Sequence, residues 1–185
     1  LNLFPSEDIS KFYSKLCEFD TVSAYALRLL ILTTARTKEI IEAQFAEFDR
    51  QKRLWTIPAQ KMKVRKEHIV PLSNEALAII GLMRRKHNHG FVFANLLTGH
   101  PISNGAMLVF LKKRFSKYKT TVHGFRSTFR TWAEETGKYP HHAIEFCLAH
   151  QLPSKVEKAY MRSNLMEQRK IIMNDWEQFL LNGKA

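Results

Sequence analysis

Acidic residues are missing from a long central stretch of this sequence. The 185 residues hold 29 Lys and Arg against 17 Asp and Glu, yet no Asp or Glu lies between Ala76 and Ala133. The formal net charge is +12 and the sequence pI is about 9.9. Such an imbalance favours a polyanionic partner, with nucleic acid first and a membrane surface second. The basic residues of the acid-free stretch are Arg84, Arg85, Lys86, Lys112, Lys113, Arg114, Lys117, Lys119, Arg126 and Arg130.

Cysteine is scarce, and other signals are absent. Cys17 and Cys147 are the two cysteines, and their spacing is not that of a metal site, which argues against a disulfide framework or a zinc knuckle. No apolar run reaches membrane-spanning length, and the first residues lack the features of a signal peptide. We therefore expect one globular domain over residues 1–185, in a reducing interior. The missing initiator Met suggests a piece of a longer protein.

The patterns that are present are mostly helical. The stretch from Val22 to Thr33 is apolar nearly all round, which predicts a helix buried at the centre of the domain. Three short strand patterns predict a small antiparallel sheet, with a basic turn from Lys61 to Lys66 before the last strand. The predicted strands are Phe45 to Asp49, Leu54 to Ile57 and His68 to Leu72. The predicted fold class is mainly α with a small antiparallel β-sheet (α+β).

Capping signals mark several helix starts. Ser73 with Glu75 predicts a side-chain cap for the helix that follows, and Ser103 or Asn104 is expected to open the next one. Asn164 with Glu167 marks the start of a last helix. Its apolar stripe is too large to leave in water and must dock on its own domain or on a neighbouring chain. That stripe contains Leu165, Ile172, Met173, Trp176, Phe179 and Leu180.

Several side chains suit chemistry on a phosphodiester. His123 and Arg126 lie three residues apart, so at the start of a helix both can reach one phosphate. The alternative is a surface pair on a DNA-binding helix that does no chemistry. Arg36 follows the buried helix and needs an acidic partner or an anion, and Glu39 could be that partner. His150 is followed by a tyrosine ten residues later, Tyr160.

The order of these motifs resembles the catalytic domain of the tyrosine recombinases, and most closely that of phage and genomic-island integrases. The motifs are T-T-A-R-T-K-E-I, K-M-K-V-R-K-E-H-I-V-P-L-S, H-G-F-R-S-T-F-R-T-W, L-A-H and then a Tyr. The resemblance runs from about Phe4 to Leu181 and implies the integrase catalytic-domain fold. It also implies that amino-terminal DNA-binding domains of the family are absent from this chain. The implied activity is site-specific recombination, the integration or excision of a prophage or genomic island.

The resemblance assigns roles to individual residues. Arg36 and Arg126 are implied to clamp the phosphate, and His150 to be its third donor. Tyr160 is the implied nucleophile, which forms a covalent 3′-phosphotyrosine. Lys63 rather than Lys61 aligns with the lysine that protonates the leaving 5′ oxygen.

Two further roles and two departures complete the resemblance. His123 is implied to assist proton transfer at the tyrosine, and Glu39 to orient Arg36. Thr34 stands where many members have Gly, and Ser127 where many have a second His. Neither departure removes a catalytic group.

The implied partner is double-stranded DNA carrying attachment sites. The family acts as a homotetramer on DNA, and we expect this fragment to be monomeric in solution, with its tail folded back or mobile. No cofactor or metal is expected, since two Arg and a His can stabilise phosphoryl transfer. The expected location is the bacterial cytoplasm, at the nucleoid, with no membrane role. The expected DNA contacts are Lys61, Arg65, Lys66, Lys112, Lys113 and Arg130.

Three alternatives remain open at this point. A type IB topoisomerase uses a similar residue set for nicking and resealing, although the W-T-I-P-A strand and the tail fit integrases better. A DNA-binding domain without catalysis would use the same basic surface. A metal phosphoesterase would use a set of histidines, and chelator sensitivity would reveal it. Its candidate ligands are His123, His141, His142 and His150.

Overall fold

The computed structural model describes residues 4–150 and 164–183. Within these ranges the chain forms helices around a three-stranded antiparallel sheet of order β1-β2-β3. This arrangement confirms the predicted fold class. The helices are α1 (Ile9–Leu16), α2 (Val22–Thr33), α3 (Thr37–Ile41), α4 (Asn74–Lys86), α5 (Ala106–Arg114), α6 (Gly124–Glu135), α7 (His141–Cys147) and α8 (Asn164–Asn182), and the strands are β1 (Phe48–Asp49), β2 (Leu54–Ile57) and β3 (His68–Pro71).

Helix α2 is the centre of the domain. It begins at Thr21, whose side chain accepts a bond from the Ala24 backbone at 3.2 Å, and most of its side chains are buried. It contacts α3, α4, α5 and α8, as expected of a helix that is apolar on every side. Its carboxyl end therefore emerges from the core and carries Arg36 to a fixed place.

The sheet is smaller than the sequence pattern suggests. Trp55 in β2 lies opposite Phe48 and Val70, and its ring is fully buried. The predicted first strand was too long, because Phe45–Glu47 is a single 3₁₀ turn and only Phe48–Asp49 pairs with β2. The backbone N–H of Phe45 instead donates to Gly90 O at 3.0 Å, so a loop contact replaces strand pairing.

Two predicted helix starts also differ from the structure. Ser73 precedes α4 but makes no side-chain cap. The carboxylate of Glu177 accepts the backbone N–H of Asn74 at 3.1 Å and that of Glu75 at 2.5 Å, so α8 caps α4 from 103 residues away. Helix α5 starts at Ala106, later than predicted, and Gly105 is the residue before it.

The tail helix α8 docks on its own domain. It packs mainly on α1 and α7, and all six residues of its predicted apolar stripe are buried. The Trp176 indole donates to Ile31 O at 2.9 Å, and Arg169 Nη2 donates to Ile69 O at 2.6 Å. The described part of the tail is thus tied to α2 and to β3 by buried polar contacts as well as by apolar packing.

The cysteines and the lengths of the helices bear on two further expectations from the sequence. Cys17 and Cys147 are both free thiols, and burial raises the pKa of Cys147 to about 11. Among the described helices, none has both the length and the apolar content needed to cross a membrane.

Candidate functional site

Arg126 is the residue around which the site is built. Helix α6 carries it inward, and its side chain is buried. Its guanidinium donates Nη1 to Thr34 O and Nη2 to Leu148 O, the latter at 2.7 Å. Thr34 lies two residues before Arg36, and Leu148 lies two residues before His150. One side chain thereby joins three segments that are distant in sequence.

Arg126 is a buried cation that contacts carbonyls rather than a carboxylate. Burial, and after it the charge of Arg36, lower the pKa of Arg126 to about 10, while Glu39 acts in the opposite sense. At this pKa the guanidinium stays charged at neutral pH. Two cations held this close together favour an anion between them, as a phosphate site requires.

Arg36 is held by Glu39, as the sequence suggested. The buried Glu39 carboxylate accepts the Arg36 backbone N–H at 2.7 Å and Arg36 Nη1 at 2.9 Å. The Arg36 side chain keeps 28% of its surface exposed, whereas Glu39 keeps 3%. Part of the guanidinium is therefore open to an incoming ligand. That Glu39 orients Arg36 during a reaction stays a prediction.

Thr34 adopts a backbone conformation that favours glycine. Its φ is +55°, and it ends α2. A side chain in this region costs about 1–2 kcal/mol, which explains why Gly suits this position. Its hydroxyl donates to Cys147 O at 3.0 Å and so ties the end of α2 to the end of α7. This contact offsets part of the strain and keeps the Thr34 carbonyl aimed at Arg126.

His150 is placed by the end of α7. The backbone N–H of His150 bonds Glu145 O at 3.0 Å, and that of Ala149 bonds Phe146 O at 3.1 Å. With Ala149 at φ +52°, these bonds form a Schellman motif. The ring Nδ1 of His150 lies 2.7 Å from Glu145 Oε2. No hydrogen bond joins the other ring nitrogen, Nε2, to a described residue, and its role as a donor to phosphate stays a prediction.

His123 lies directly before α6 and is largely exposed. Its pKa is lowered, first by partial burial and then by the positive charges of Arg126 and Arg36 and by His150. The neutral form, which accepts a proton, is therefore favoured near neutral pH. This matches the proton-transfer role that the sequence suggested, and that role stays a prediction.

The two lysines of the hairpin, Lys61 and Lys63, differ in their contacts and in their exposure. Lys61 Nζ pairs with the Glu47 carboxylate and donates to Glu42 O at 2.5 Å, and its side chain keeps 17% of its surface exposed. Lys63 is exposed and forms no ion pair with any described residue. Arg65 and Lys66 are also exposed, at the turn. Lys61 is thus already engaged inside the protein, whereas Lys63 can approach a ligand.

His68 was missed by the sequence reasoning. It opens β3 opposite Ile57, and burial lowers its pKa to about 3, with further contributions from Arg169, Arg36 and Arg126. The neutral imidazole is therefore favoured at neutral pH, partly because of the positive charges of the arginine pair. An apolar strand starting with His carries no local signal of this, because the arginines come from other elements.

The other predicted DNA contacts differ in how accessible they are. Lys112 and Lys113 are exposed on α5. Arg130 is ion-paired, with its Nε 2.8 Å from Glu145 Oε1 and 3.3 Å from Glu134 Oε1. A groove of about 710 Å³ that was not predicted is lined partly by lysines, which are Lys11, Lys15, Lys117 and Lys119.

Three possible metal ligands lie close together near α7. Among residues 4–150 and 164–183, ligand atoms of Glu134, His141 and Glu145 lie within 4.8 Å of one another. The Arg130 guanidinium already pairs with both carboxylates. This set is not the four-histidine set of the phosphoesterase alternative. Tyr160, the predicted nucleophile, lies outside the described residues.

Comparisons with known proteins agree with the motifs. A model of the phage integrase family matches residues 3–167. The chain is 34% identical over 174 residues to the prophage integrase IntZ of Escherichia coli K12, covering 93% of this chain and 43% of that protein. It is 32% identical over 181 residues to the integrase of Shigella phage Sf6, covering 95% and 47% respectively. The chain therefore spans less than half the length of these relatives.

Solved structures share the fold. The XerA recombinase matches with a TM-score of 0.63 at 15% identity, over 88% of this chain and 63% of that one. The Tn1549 transposon integrase in complex with circular intermediate DNA matches with a TM-score of 0.61 at 18% identity, over 85% and 61%. The fold and the family predicted from the motif order are thereby confirmed.

Proposed function

Because the chain belongs to the phage integrase family, we propose that it catalyses site-specific recombination, cutting and rejoining DNA through a covalent bond to Tyr160. The observation that carries this proposal is the placement of Arg126. Its guanidinium links the backbone beside Arg36 to the backbone beside His150. This linkage supports one phosphate site shared by Arg36, Arg126 and His150, which lie on three separate segments.

The reaction follows from the chemistry of these groups. The Tyr160 hydroxyl attacks the scissile phosphorus, a 3′-phosphotyrosine bond forms, and the bond to the 5′ oxygen breaks. Arg36 and Arg126 stabilise the charge on the non-bridging oxygens, with His150 as a third donor. The tyrosine proton passes to His123, and Lys63 protonates the 5′ oxygen as it leaves. In the reverse step a 5′ hydroxyl attacks the phosphotyrosine, so rejoining needs no nucleotide.

Double-stranded DNA is the proposed substrate. The charge of +12, the exposed lysines of α5 and the lysine-lined groove support a polyanionic partner. The Tn1549 integrase, which shares the fold, was solved with DNA. We propose that the full-length protein acts as a tetramer on attachment sites in the bacterial cytoplasm.

The test is covalent capture on a nicked duplex that carries the attachment site of the element encoding this chain. The nick lets the short cleaved piece diffuse away, so the adduct accumulates and is counted on a denaturing gel. Tyr160→Phe should abolish the adduct and leave DNA affinity nearly unchanged, because one oxygen is lost. Tyr139→Phe is the matched control, since the Tyr139 hydroxyl donates to Asp175 at 2.6 Å, at a distance from the chemistry.

Three outcomes would contradict the proposal. An adduct with Tyr160→Phe would mean that another residue is the nucleophile. Loss of cleavage in EDTA, restored by a divalent metal, would favour a metal phosphoesterase. A protein that binds DNA but never forms an adduct would be a DNA-binding domain without catalysis.

A further inference from the structure

Glu145 is joined to His150 twice. Its backbone carbonyl accepts the His150 N–H at 3.0 Å in the Schellman motif, and its carboxylate Oε2 lies 2.7 Å from the ring Nδ1. The Glu145 side chain keeps 12% of its surface exposed, against 40% for His150. The contact therefore lies partly out of water, where charge-assisted bonds are stronger than at an open surface.

The other carboxylate oxygen is also held. Arg130 Nε on α6 lies 2.8 Å from Glu145 Oε1 and 3.3 Å from Glu134 Oε1. The ring Nδ1 of His141 lies 3.3 Å from that same Glu134 oxygen. Glu145 is thus ion-paired with α6 on one side, although its Oε1 makes no directed hydrogen bond there, and it bonds the histidine on the other. This fixes the plane of the imidazole and the direction of Nε2.

The bond has a consequence for the protons on the ring. A carboxylate accepts only a proton-bearing Nδ1, and a neutral imidazole then has a bare Nε2 that cannot donate. To donate Nε2–H to a phosphate oxygen while Nδ1–H stays on Glu145, His150 must carry both protons. The carboxylate makes the bond to Nδ1–H charge-assisted, which holds the ring in one orientation. His123, which faces Arg126 and Arg36, has no such partner among the described residues.

We propose that Glu145 is the positioning residue for His150: its charge-assisted bond to Nδ1 orients the ring so that Nε2–H donates to the scissile phosphate. Arg130 supports this contact by holding Glu145, and it is therefore not primarily a DNA contact. The inference deepens the proposed function and depends on it, since it concerns the same phosphate site. It concerns orientation and charge, and Glu145 itself touches no substrate.

A double-mutant cycle tests the proposal. Glu145→Gln keeps the shape and an acceptor oxygen but removes the charge, and it is made in the unaltered protein and in His150→Ala. Adduct formation is measured at saturating nicked duplex, alongside DNA affinity and thermal melting. We expect Glu145→Gln to slow adduct formation by roughly 10- to 100-fold with unchanged DNA affinity, and to have no further effect in His150→Ala.

Matched controls separate positioning from fold stability. Glu134→Gln alters the other carboxylate that pairs with Arg130 but does not contact His150, so its adduct rate should stay within about twofold. Nitrogen NMR of ¹⁵N-histidine-labelled protein gives a readout independent of activity. The Nδ1 signal of His150 should change in Glu145→Gln and stay unchanged in Glu134→Gln.

The outcomes are distinguishable. An additive loss in the His150→Ala background, or an equal loss in Glu134→Gln, would overturn the positioning role while leaving the recombinase activity intact. An unchanged His150 signal in Glu145→Gln would overturn the contact itself. Absence of any adduct with the unaltered protein would instead overturn the proposed function, and the proposal for Glu145 with it.

Discussion

The arginine pair and the histidine pair of the site are held in different ways. Arg126 is buried and bonded to two backbone carbonyls, and Arg36 is bonded to the buried Glu39. His150 rests on a carboxylate at the end of α7, and His123 is largely exposed beside the arginines. The arginines supply charge that is present at every physiological pH, whereas the histidines supply protons that can be exchanged.

This difference shows why the two pairs tolerate different changes. The arginines depend on backbone positions set by the core, so their geometry is as rigid as the core itself. His150 depends on its contact with Glu145, and His123 depends on the charges of nearby side chains. Changes at these contacts should therefore leave the packing of the core intact. Changes on the arginine side should therefore cost both rate and stability, and changes on the histidine side mainly rate or pH dependence.

The largest effect is expected at Arg126. In Arg126→Lys a single ammonium group replaces the planar guanidinium. It cannot donate hydrogen bonds to both carbonyls and to the phosphate at the same time. Adduct formation should fall by about 10³-fold. Arg114→Lys, an exposed arginine on α5, is the control. If both variants cleave at the same rate, Arg126 has only a structural role and does not stabilise charge on the phosphate.

The next largest effect is expected at Lys63, and it distinguishes this lysine from Lys61 of the same hairpin. Lys63→Ala should slow cleavage by about 10²-fold, and a substrate with a 5′-bridging sulfur should restore the rate, because a thiolate leaves without a proton. Lys61→Ala should instead lower the melting temperature, since it breaks the contacts with Glu47 and Glu42. The sulfur substrate should not restore the rate of Arg126→Lys, because that variant lacks charge stabilisation and not the leaving-group proton. Failure of the sulfur substrate to restore Lys63→Ala would show that the leaving-group proton is supplied elsewhere.

A smaller effect concerns stability and pH at His68. Its folded pKa of about 3 lies well below its ordinary value of about 6.5, so below pH 6.5 the unfolded chain binds a proton that the folded chain does not. Its contribution is complete above pH 6.5 and is lost as the pH falls toward 3. Between pH 7 and pH 5 the free energy of unfolding should drop by about 2 kcal/mol on this account.

Urea unfolding at the two pH values measures this drop. His68→Gln should flatten the dependence, because the amide does not titrate. His141→Gln, an exposed histidine on α7, should leave it unchanged. If His68→Gln keeps the full pH dependence, then His68 is solvated in the folded protein and its pKa is not lowered by burial and the arginine charges.

The smallest effect compares two strained residues at the site. Ala149→Gly releases the cost of φ +52° and should raise the free energy of unfolding by up to ~1 kcal/mol. Thr34→Gly releases similar strain but loses the bond from the hydroxyl to Cys147 O, so little net gain is expected. Urea denaturation of both variants decides. A larger gain for Thr34→Gly would mean that the hydroxyl contact contributes nothing.

Some properties of the tail helix α8 follow from its sequence, and others depend on its packing. The apolar stripe of α8 was predictable from spacing, and its need to dock followed from its size. Its docking site was not predictable, because Glu177 caps α4 and Arg169 reaches β3 through contacts made only after packing. Since the apolar stripe of α8 is buried in the core, we expect deletion of α8 to unfold the domain. The monomeric state of the fragment stays a prediction.

The sequence by itself determined the helix and strand pattern, the positive charge, and the order of groups that suit a phosphate. These features follow from residue type and from spacing along one element. Only the tertiary structure decided that Arg126 bridges Thr34 and Leu148, that Lys61 is engaged while Lys63 is accessible, and that His150 rests on Glu145. The reason is physical: the direction of a buried polar side chain is set by the nearest acceptor in space. Except where both partners share one helix end, that acceptor comes from a distant part of the chain.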